Sequence, residues 1–439
     1  MKNLILAALA LLLMPPFVQA YADKLPETEQ PGKPMQEGIK VEVRKENGGY
    51  QLYRGGAPYY IKGAGGSQYL EQLAAYGGNS IRTWSTDNAQ EILDEAHKHG
   101  LTVTMGLEVS RERHGFDYGD PQAVAQQLAE LRKEVVKYKD HPALLIWGIG
   151  NELNLSYTDP LVWDAVNDIA NMIHEVDPNH PTSTMLAGIN KMEVDYIKEK
   201  VPQLDILAVN AYGGLPDVPR RVREFGWEGP YMVTEWGPTG HWESHQTPWG
   251  ASVEETSSQK AAVYKSRYEA SMQQDKARNL GSYVFLWGQK QERTPTWYGL
   301  FTEDGKESEV IDVMQYLWTG SWPENRAPHL STFEIDGQKA TDNVYLKPNK
   351  NYKVTAAVTD PDNDKLTYRY ELLHESTDLK EGGDRESRPD AIEGRVSGTT
   401  TGKAKLKTPK QEGAYRLFVY VYDGNNNVAT ANIPFYVKK

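Results

Sequence analysis

The chain has 439 residues, 60 acidic against 48 basic side chains, a net charge of −12 and no cysteine. The missing cysteine excludes disulfides, thiolate-ligated zinc, thiol nucleophiles and a lipidated N-terminal cysteine, and the acidic balance argues against nucleic acid and anionic lipid as partners. A composition of 39% hydrophobic and 25% charged residues is that of a folded chain, long enough for one large barrel plus a small module. Trp (11) and Tyr (26) outnumber Phe (8), and rings with polar edges suit both a sugar-binding surface and a large core.

Lys2, the apolar run Leu4 to Met14, Pro15-Pro16 and a small-residue exit around Val18-Gln19-Ala20 or Ala20-Tyr21-Ala22 read as a signal peptide over residues 1–20. The mature chain is therefore expected to be exported, to a periplasm or the exterior, with no membrane span after signal removal. Residues 21–44 read as a leader, rich in Pro, Glu, Gln and Lys up to residue 40. Lys40–Arg54 looks like a small hairpin placed to close a barrel floor.

Over residues 45–322, β-like runs alternate with amphipathic helical runs. The β-like runs are Tyr59–Gly63, Ser80–Trp84, Thr102–Leu107, Leu144–Gly148, Thr182–Leu186, Ile206–Asn210, Tyr231–Glu235 and Ser282–Trp287. Ile92, Leu93 and Ala96 share a helical face that ends before Gly100. Val124, Leu128, Leu131 and Val135 recur at helical spacing after Pro121, and a helix from Leu161 to Glu175 stops at Asp177-Pro178. Eight such repeats match the size and order of a (β/α)₈ TIM barrel of the α/β class, and the count weighs against a doubly wound open sheet. Composition changes near Pro323-Glu324-Asn325. Across residues 323–439 Val344–Leu346, Tyr352–Val358, Leu366–Leu373, Gly402–Leu406, Tyr415–Tyr422 and Ala429–Val437 read as strands separated by Asp/Asn turns, which predicts a small all-β, immunoglobulin-like sandwich. Acidic and basic side chains nearly balance in this tail, so the negative charge belongs to the barrel.

Reacting groups of a (β/α)₈ barrel sit where strands open at the C-terminal face. The fourth run ends Trp147-Gly148-Ile149-Gly150-Asn151-Glu152, and the seventh ends Thr234-Glu235-Trp236. Two carboxylates across a barrel mouth are the equipment for glycoside hydrolysis, by retention at about 5–5.5 Å separation or inversion at about 6.5–9.5 Å.

These residues resemble the clan A glycoside hydrolases, retaining (β/α)₈ enzymes that include families two and five. The resemblance covers roughly residues 55–320. It implies Glu152 as acid/base, Glu235 as nucleophile and Asn151 as the partner of the sugar 2-hydroxyl. It further implies Arg82, in Asn79-Ser80-Ile81-Arg82-Thr83-Trp84, as support for the nucleophile, Tyr212 as its hydrogen-bond partner and Trp287 as the platform under the sugar at the cleavage point. About 40 mature residues ahead of the barrel leave no expectation of the jelly roll and sandwich that usually precede a family-two barrel. Barrel plus C-terminal sandwich looks more like enzymes acting on β-glucans, including laminarin-type endo-β-1,3-glucanases.

Trp84, Trp236, Trp242, Trp249, Trp297 and Tyr298 fall in or beside the expected top-face loops, where they would stack on pyranose rings; Trp297 has plain loop packing as an equal alternative. Trp84, Trp236 and Trp297 therefore join the candidate substrate-binding residues. No cofactor and no catalytic metal is expected. His241 and His245 flank Glu243 out of zincin order, which points to sugar contact or no role rather than zinc, and His114 and Glu108 after the third run have similar status. Gly63-Ala64-Gly65-Gly66 lacks a P-loop Lys and reads as a tight turn. Asp360, Asp362 and Asp364 in one turn and Asp423 in another offer clustered oxygens, which either hold a structural calcium ion or are solvated turns. The expected activity is double-displacement cleavage of a β-linked glucan, with transglycosylation at the same glutamates and non-catalytic glycan binding as the alternatives.

Overall fold

The computed structural model describes residues 38–439. The signal-peptide reading and most of the leader lie outside the described residues.

The eight strands Ile61–Gly65, Ser80–Arg82, Thr102–Leu107, Leu144–Asn151, Thr182–Ala187, Ile206–Asn210, Tyr231–Trp236 and Asn279–Val284 close into a parallel barrel, the sixth pairing with the seventh and the eighth with the first. Most strands are predominantly apolar and buried throughout, as parallel strands covered on both faces must be. Their outward side chains pack under the helices. Helix Ala89–Lys98 ends before Gly100, and Leu161–Val176 buries a continuous apolar stripe ahead of Pro178. In Pro121–Tyr138, Asp120 caps the N-terminus by accepting from the Gln122 and Ala123 amides.

The sequence-based strand limits hold to within a few residues except at the eighth strand, which lies three residues earlier than the expected Ser282–Trp287. A three-stranded antiparallel sheet, Val41–Glu46, Gly49–Arg54 and Ala57–Tyr59, precedes the barrel and starts inside the range expected for the leader. Val41 and Leu52 are buried among Ile61, Leu145, Ile206, Met232 and Leu280, at the N-terminal ends of the barrel strands. This sheet therefore plugs the barrel floor, and the opposite face is left for the site.

After the last barrel helix, Glu309–Thr319, the chain forms a β-sandwich. One sheet has the order His329–Ile335, Asn351–Thr359, Lys403–Lys407, Val396–Ser397. The other places Asn427–Val437 beside Gly413–Tyr422 and then Thr367–His374, with Val344–Leu346 on the outer side of Asn427–Val437. This is the strand order of an immunoglobulin-type sandwich. Leu330, Phe333 and Val354 from the first sheet meet Leu372, Leu417 and Ile433 from the second in its core.

Barrel and sandwich are joined by hydrogen bonds across a buried seam. Ser257 and Ser258 hydroxyls, at the start of helix Ser257–Ser271, accept from the Thr430 and Leu330 amides at 2.9 and 2.8 Å. The buried Glu254 carboxylate accepts from Lys260, Thr294, Thr296 and Asn432. Removing the cation of such a buried pair strands the partner charge, at a cost of about 3–5 kcal/mol. Lys260→Ala should lower unfolding free energy by about that amount in urea titration, whereas Lys133→Ala at a solvent-exposed pair should change it by less than about 1 kcal/mol.

Candidate active site

Strand four leads into Glu152 through a sharp exit. Gly150 has φ +69° and the adjacent Leu153 side chain leaves it no room for a Cβ. Glu152 itself sits at φ +53°, where few non-glycine residues are found, held by its amide bond to the Met185 carbonyl at 2.8 Å. Its carboxylate accepts from Asn210 Nδ2 at 2.9 Å. Burial, and then the neighbouring Glu235 charge, push the Glu152 carboxyl up to about 7, while the Asn210 hydrogen bond and the charges of Arg82 and Arg111 pull the other way.

Glu235, near the end of strand seven, is 6% exposed. It accepts from Arg82 Nη1 at 2.8 Å and Trp84 Nε1 at 2.8 Å on one oxygen, and from the Tyr212 hydroxyl at 3.1 Å on the other. Three donors on an acceptor-only group are the environment of an ionised carboxylate. Burial and the adjacent Glu235 hold the Tyr212 phenol well above its ordinary range, so Tyr212 remains a donor. Arg82 also donates to the Thr234 carbonyl at 2.9 Å and to Asn151 Oδ1 at 2.5 Å. Asn210 donates to the same Asn151 oxygen at 3.1 Å and accepts from Thr234 Oγ1 at 2.8 Å. A continuous chain of hydrogen bonds thus runs Glu235, Arg82, Asn151, Asn210, Glu152 across strands seven, two, four and six. With Oδ1 taken twice, Asn151 keeps its Nδ2 for a ligand.

Glu152, Glu235, Asn151, Arg82, Tyr212 and Trp84 are therefore brought together. Three other candidates are not. Trp236 is fully buried between the barrel and its helices, with ring centroids 5.4 Å from Tyr264 and 5.6 Å from Tyr268. It follows Glu235 in a strand, where successive side chains point to opposite faces. Trp287 is 1% exposed, donates to the Tyr69 carbonyl and packs on Phe301 and Trp318, so it offers no platform. Trp297 is 2% exposed and donates to the Thr239 carbonyl, which is the loop-packing alternative.

Residues that the sequence reading did not single out take part. Asn210 ends strand six as an uncharged residue with no motif around it. Phe285, the first residue beyond strand eight, contacts Trp84, Tyr212 and Tyr298 edge to face beside Glu235. Gly65 leaves space for Trp84: a Cβ would lie 3.0 Å from its ring.

His241 places its ring nitrogens against the Tyr298 hydroxyl at 2.9 Å and Arg293 at 3.0 Å, and burial with the Arg293 and Lys290 charges lowers it to about 4. His245 is exposed and the two do not converge. Among the described residues, the group of carboxylates close enough to share an ion is Asp360, Asp364 and Asp423, with oxygens within 4.8 Å of one another; Asp362 is not part of it. Glu108 is exposed, and His114 faces Asp384 at 3.2 Å.

An eight-stranded parallel barrel with two glutamates at its C-terminal mouth defines the class of barrel glycoside hydrolases. The family model described as glycosyl hydrolases family 2, TIM barrel domain, matches residues 70–304, more than half of the chain, and the chain belongs to that family. Among solved structures it is similar to a β-D-glucuronidase of Dictyoglomus thermophilum (TM-score 0.51, 18% identity, 65% of this chain and 54% of that chain). It is also similar to Bifidobacterium dentium β-glucuronidase complexed with coumarin-3-O-glucuronide (TM-score 0.51, 17% identity, 64% and 49%). A third is a calcium binding mutant of Bacteroides uniformis β-glucuronidase 2 (TM-score 0.51, 14% identity, 91% and 48%). The chain spans about half the length of these structures, and at such identity they speak for the fold.

Asn210→Ala removes a donor that stabilises the Glu152 carboxylate. Its carboxyl should rise further, so the alkaline limb of kcat/KM should move to higher pH than in the wild type, with kcat down about 10-fold. A pH profile with an unmoved alkaline limb would show that Asn210 does not set the acid.

Proposed function

We propose that the protein is a retaining β-glycosidase in which Glu152 is acid/base and Glu235 nucleophile. The observation that carries this is the contrast between the two glutamates: one half-buried beside a like charge and raised to about 7, the other held by three donors. Environments that set two carboxyls apart assign acid and nucleophile. In the first half-reaction a Glu235 oxygen bonds the anomeric carbon as the Glu152 proton passes to the departing oxygen. In the second, Glu152 takes a proton from water, whose oxygen displaces Glu235. Asn151 Nδ2 donates to the sugar 2-hydroxyl, and Trp84 and Tyr212 orient the nucleophile.

The substrate we infer is an uncharged β-linked glycan, a β-glucan in the first instance, cleaved after export. The cavity beside Glu152 measures about 1410 Å³, above the ~300–1,000 Å³ usual for small-molecule sites, which favours several sugar units. Its arginines are each beside a carboxylate: Arg221 by Asp217, Arg293 by Glu386, Arg388 by Glu371 and Arg416 by Glu375. That lining suits a neutral sugar better than a uronate. Barrel followed by sandwich supports the β-glucan choice, the β-1,3-linked type included.

The test is a panel of β-glucans, mannans, galactans and 4-nitrophenyl β-glycosides, the glucuronide among them. Glu235→Gln should abolish cleavage. Glu152→Gln should cost about 10²–10⁴-fold on glycans and less on aryl glycosides, whose leaving group needs no proton. Wild-type turnover by Glu235→Gln would refute the assignment.

We also propose that Asp360, Asp364 and Asp423 hold a structural calcium ion in the sandwich. Calcium should then raise the melting temperature over that in EDTA, and Asp364→Asn should remove the difference.

A further inference from the structure

The cavity beside the acid is not built by the barrel alone. One wall carries Glu152, Asn210 and Tyr212, and the facing wall is a segment of the sandwich running from Glu375 to Pro389, between strands Thr367–His374 and Val396–Ser397. The segment is fixed to loops at the barrel mouth. Arg113, beyond strand three, pairs with Asp384 at 3.1 Å, and Arg293, beyond strand eight, pairs with the buried Glu386 at 2.8 Å. Lys290 Nζ donates to the Gly383 carbonyl at 2.6 Å. Gly382 turns with φ +60°, and a Cβ there would lie 2.7 Å from Arg113 Nη2 and 2.9 Å from Leu155, so the approach needs glycine. This is a tethered wall rather than a free loop.

Its position relative to the two glutamates gives it a side of the reaction. Glu152 lines the cavity, whereas Glu235 is buried and does not. The acid stands beside the departing oxygen and the nucleophile beneath the anomeric carbon. The cavity opens on the Glu152 side of the pair and meets Glu235 only through Tyr212, which assigns it to the leaving group. Two large apolar side chains stand exposed in its walls, Trp242 at 56% from the barrel and Leu379 at 50% from the sandwich. Trp242 is braced edge to face by Tyr212 at 5.3 Å and His241 at 4.8 Å. A braced indole and an exposed aliphatic side chain beside paired arginines suit the apolar face of a pyranose.

We propose that the sandwich segment Glu375–Pro389, together with Trp242, forms a binding site for the leaving-group sugars of a glycan chain, and that the same site holds an acceptor sugar once the first half-reaction is complete. The proposal rests on the assignment of Glu152 and Glu235. In transfer, the acceptor hydroxyl gives its proton to the Glu152 carboxylate and its oxygen bonds the anomeric carbon. The bond from that carbon to Glu235 breaks and returns the carboxylate. No other reactant is needed.

The experiment compares full-length wild type, Trp242→Ala, Leu379→Arg and, as a control outside the cavity, Met192→Ala, another exposed apolar residue. Circular dichroism confirms folding. The probes are 4-nitrophenyl β-D-glucopyranoside and laminari- and cello-oligosaccharides. In Trp242→Ala and Leu379→Arg the ratio of kcat/KM on oligosaccharide to that on the aryl glycoside should fall about 10-fold, with the loss in KM. Elongated products at high oligosaccharide concentration should fall with it, and Met192→Ala should keep the wild-type ratio. An unchanged ratio in both cavity variants overturns the proposal. If the wild type cleaves neither probe, the β-glucan reading has failed, and calorimetry with the same oligosaccharides still decides the wall: binding that Leu379→Arg loses supports it, and no binding by folded wild type overturns it.

Discussion

The site depends on one buried cation. Arg82 is 1% exposed at the end of strand two, and a guanidinium so placed is costly unless its donors are taken. Glu235, the Thr234 carbonyl and Asn151 Oδ1 take the Nη1 and Nη2 donors, while Nε is buried without a partner. Three strands are thereby locked at their C-terminal ends around one planar group, and Asn210 extends the lock to a fourth. Lysine, a point donor without a fork, could not serve three acceptors in this geometry. The arrangement sets a positive charge against Glu235 and fixes the Asn151 amide through its oxygen.

Much of this was legible because a barrel strand is a buried apolar run, and an ionisable residue at its end is conspicuous. Glu152 and Glu235 stand out in that way, whereas Arg82, Asn151 and Tyr212 were expected only through the resemblance to clan A glycoside hydrolases. Trp236 was readable too, since strand alternation sends it outward once Glu235 points in, but aromatic content at the mouth obscured the rule. Trp287 failed for another reason. The eighth strand was set three residues late, and a tryptophan that seemed to end it lies beyond it in the helix layer, leaving Phe285 beside Tyr212. Asn210 carries neither charge nor motif, and its importance arises only when strand six is set next to strand four.

The role of the sandwich was beyond sequence reading. Alternating hydrophobicity announces strands, and the strands were found, but residues 375–389 have no periodicity to interpret. Their position is set by ion pairs with residues more than two hundred places distant for Arg113 and Asp384, information that no local pattern contains. The buried Glu254 network and the serine bonds to Thr430 and Leu330 make the placement rigid. A second domain fastened in this way can contribute a wall of fixed shape.

Wall and acid also meet in a single turn of chain. Gly382 of the sandwich segment packs close to the Leu155 side chain, and the Leu155 amide donates to the Glu152 carbonyl at 3.0 Å. Glu152 sits in the left-handed region, where backbone strain persists only if surrounding structure holds it. Packing from the sandwich bears on the other end of that strained turn. The position of Glu152 is thus set from two sides, by the Asn210 bond within the barrel and by the seam with the sandwich. In this geometry the domain that walls the cavity also packs against the turn that carries Glu152.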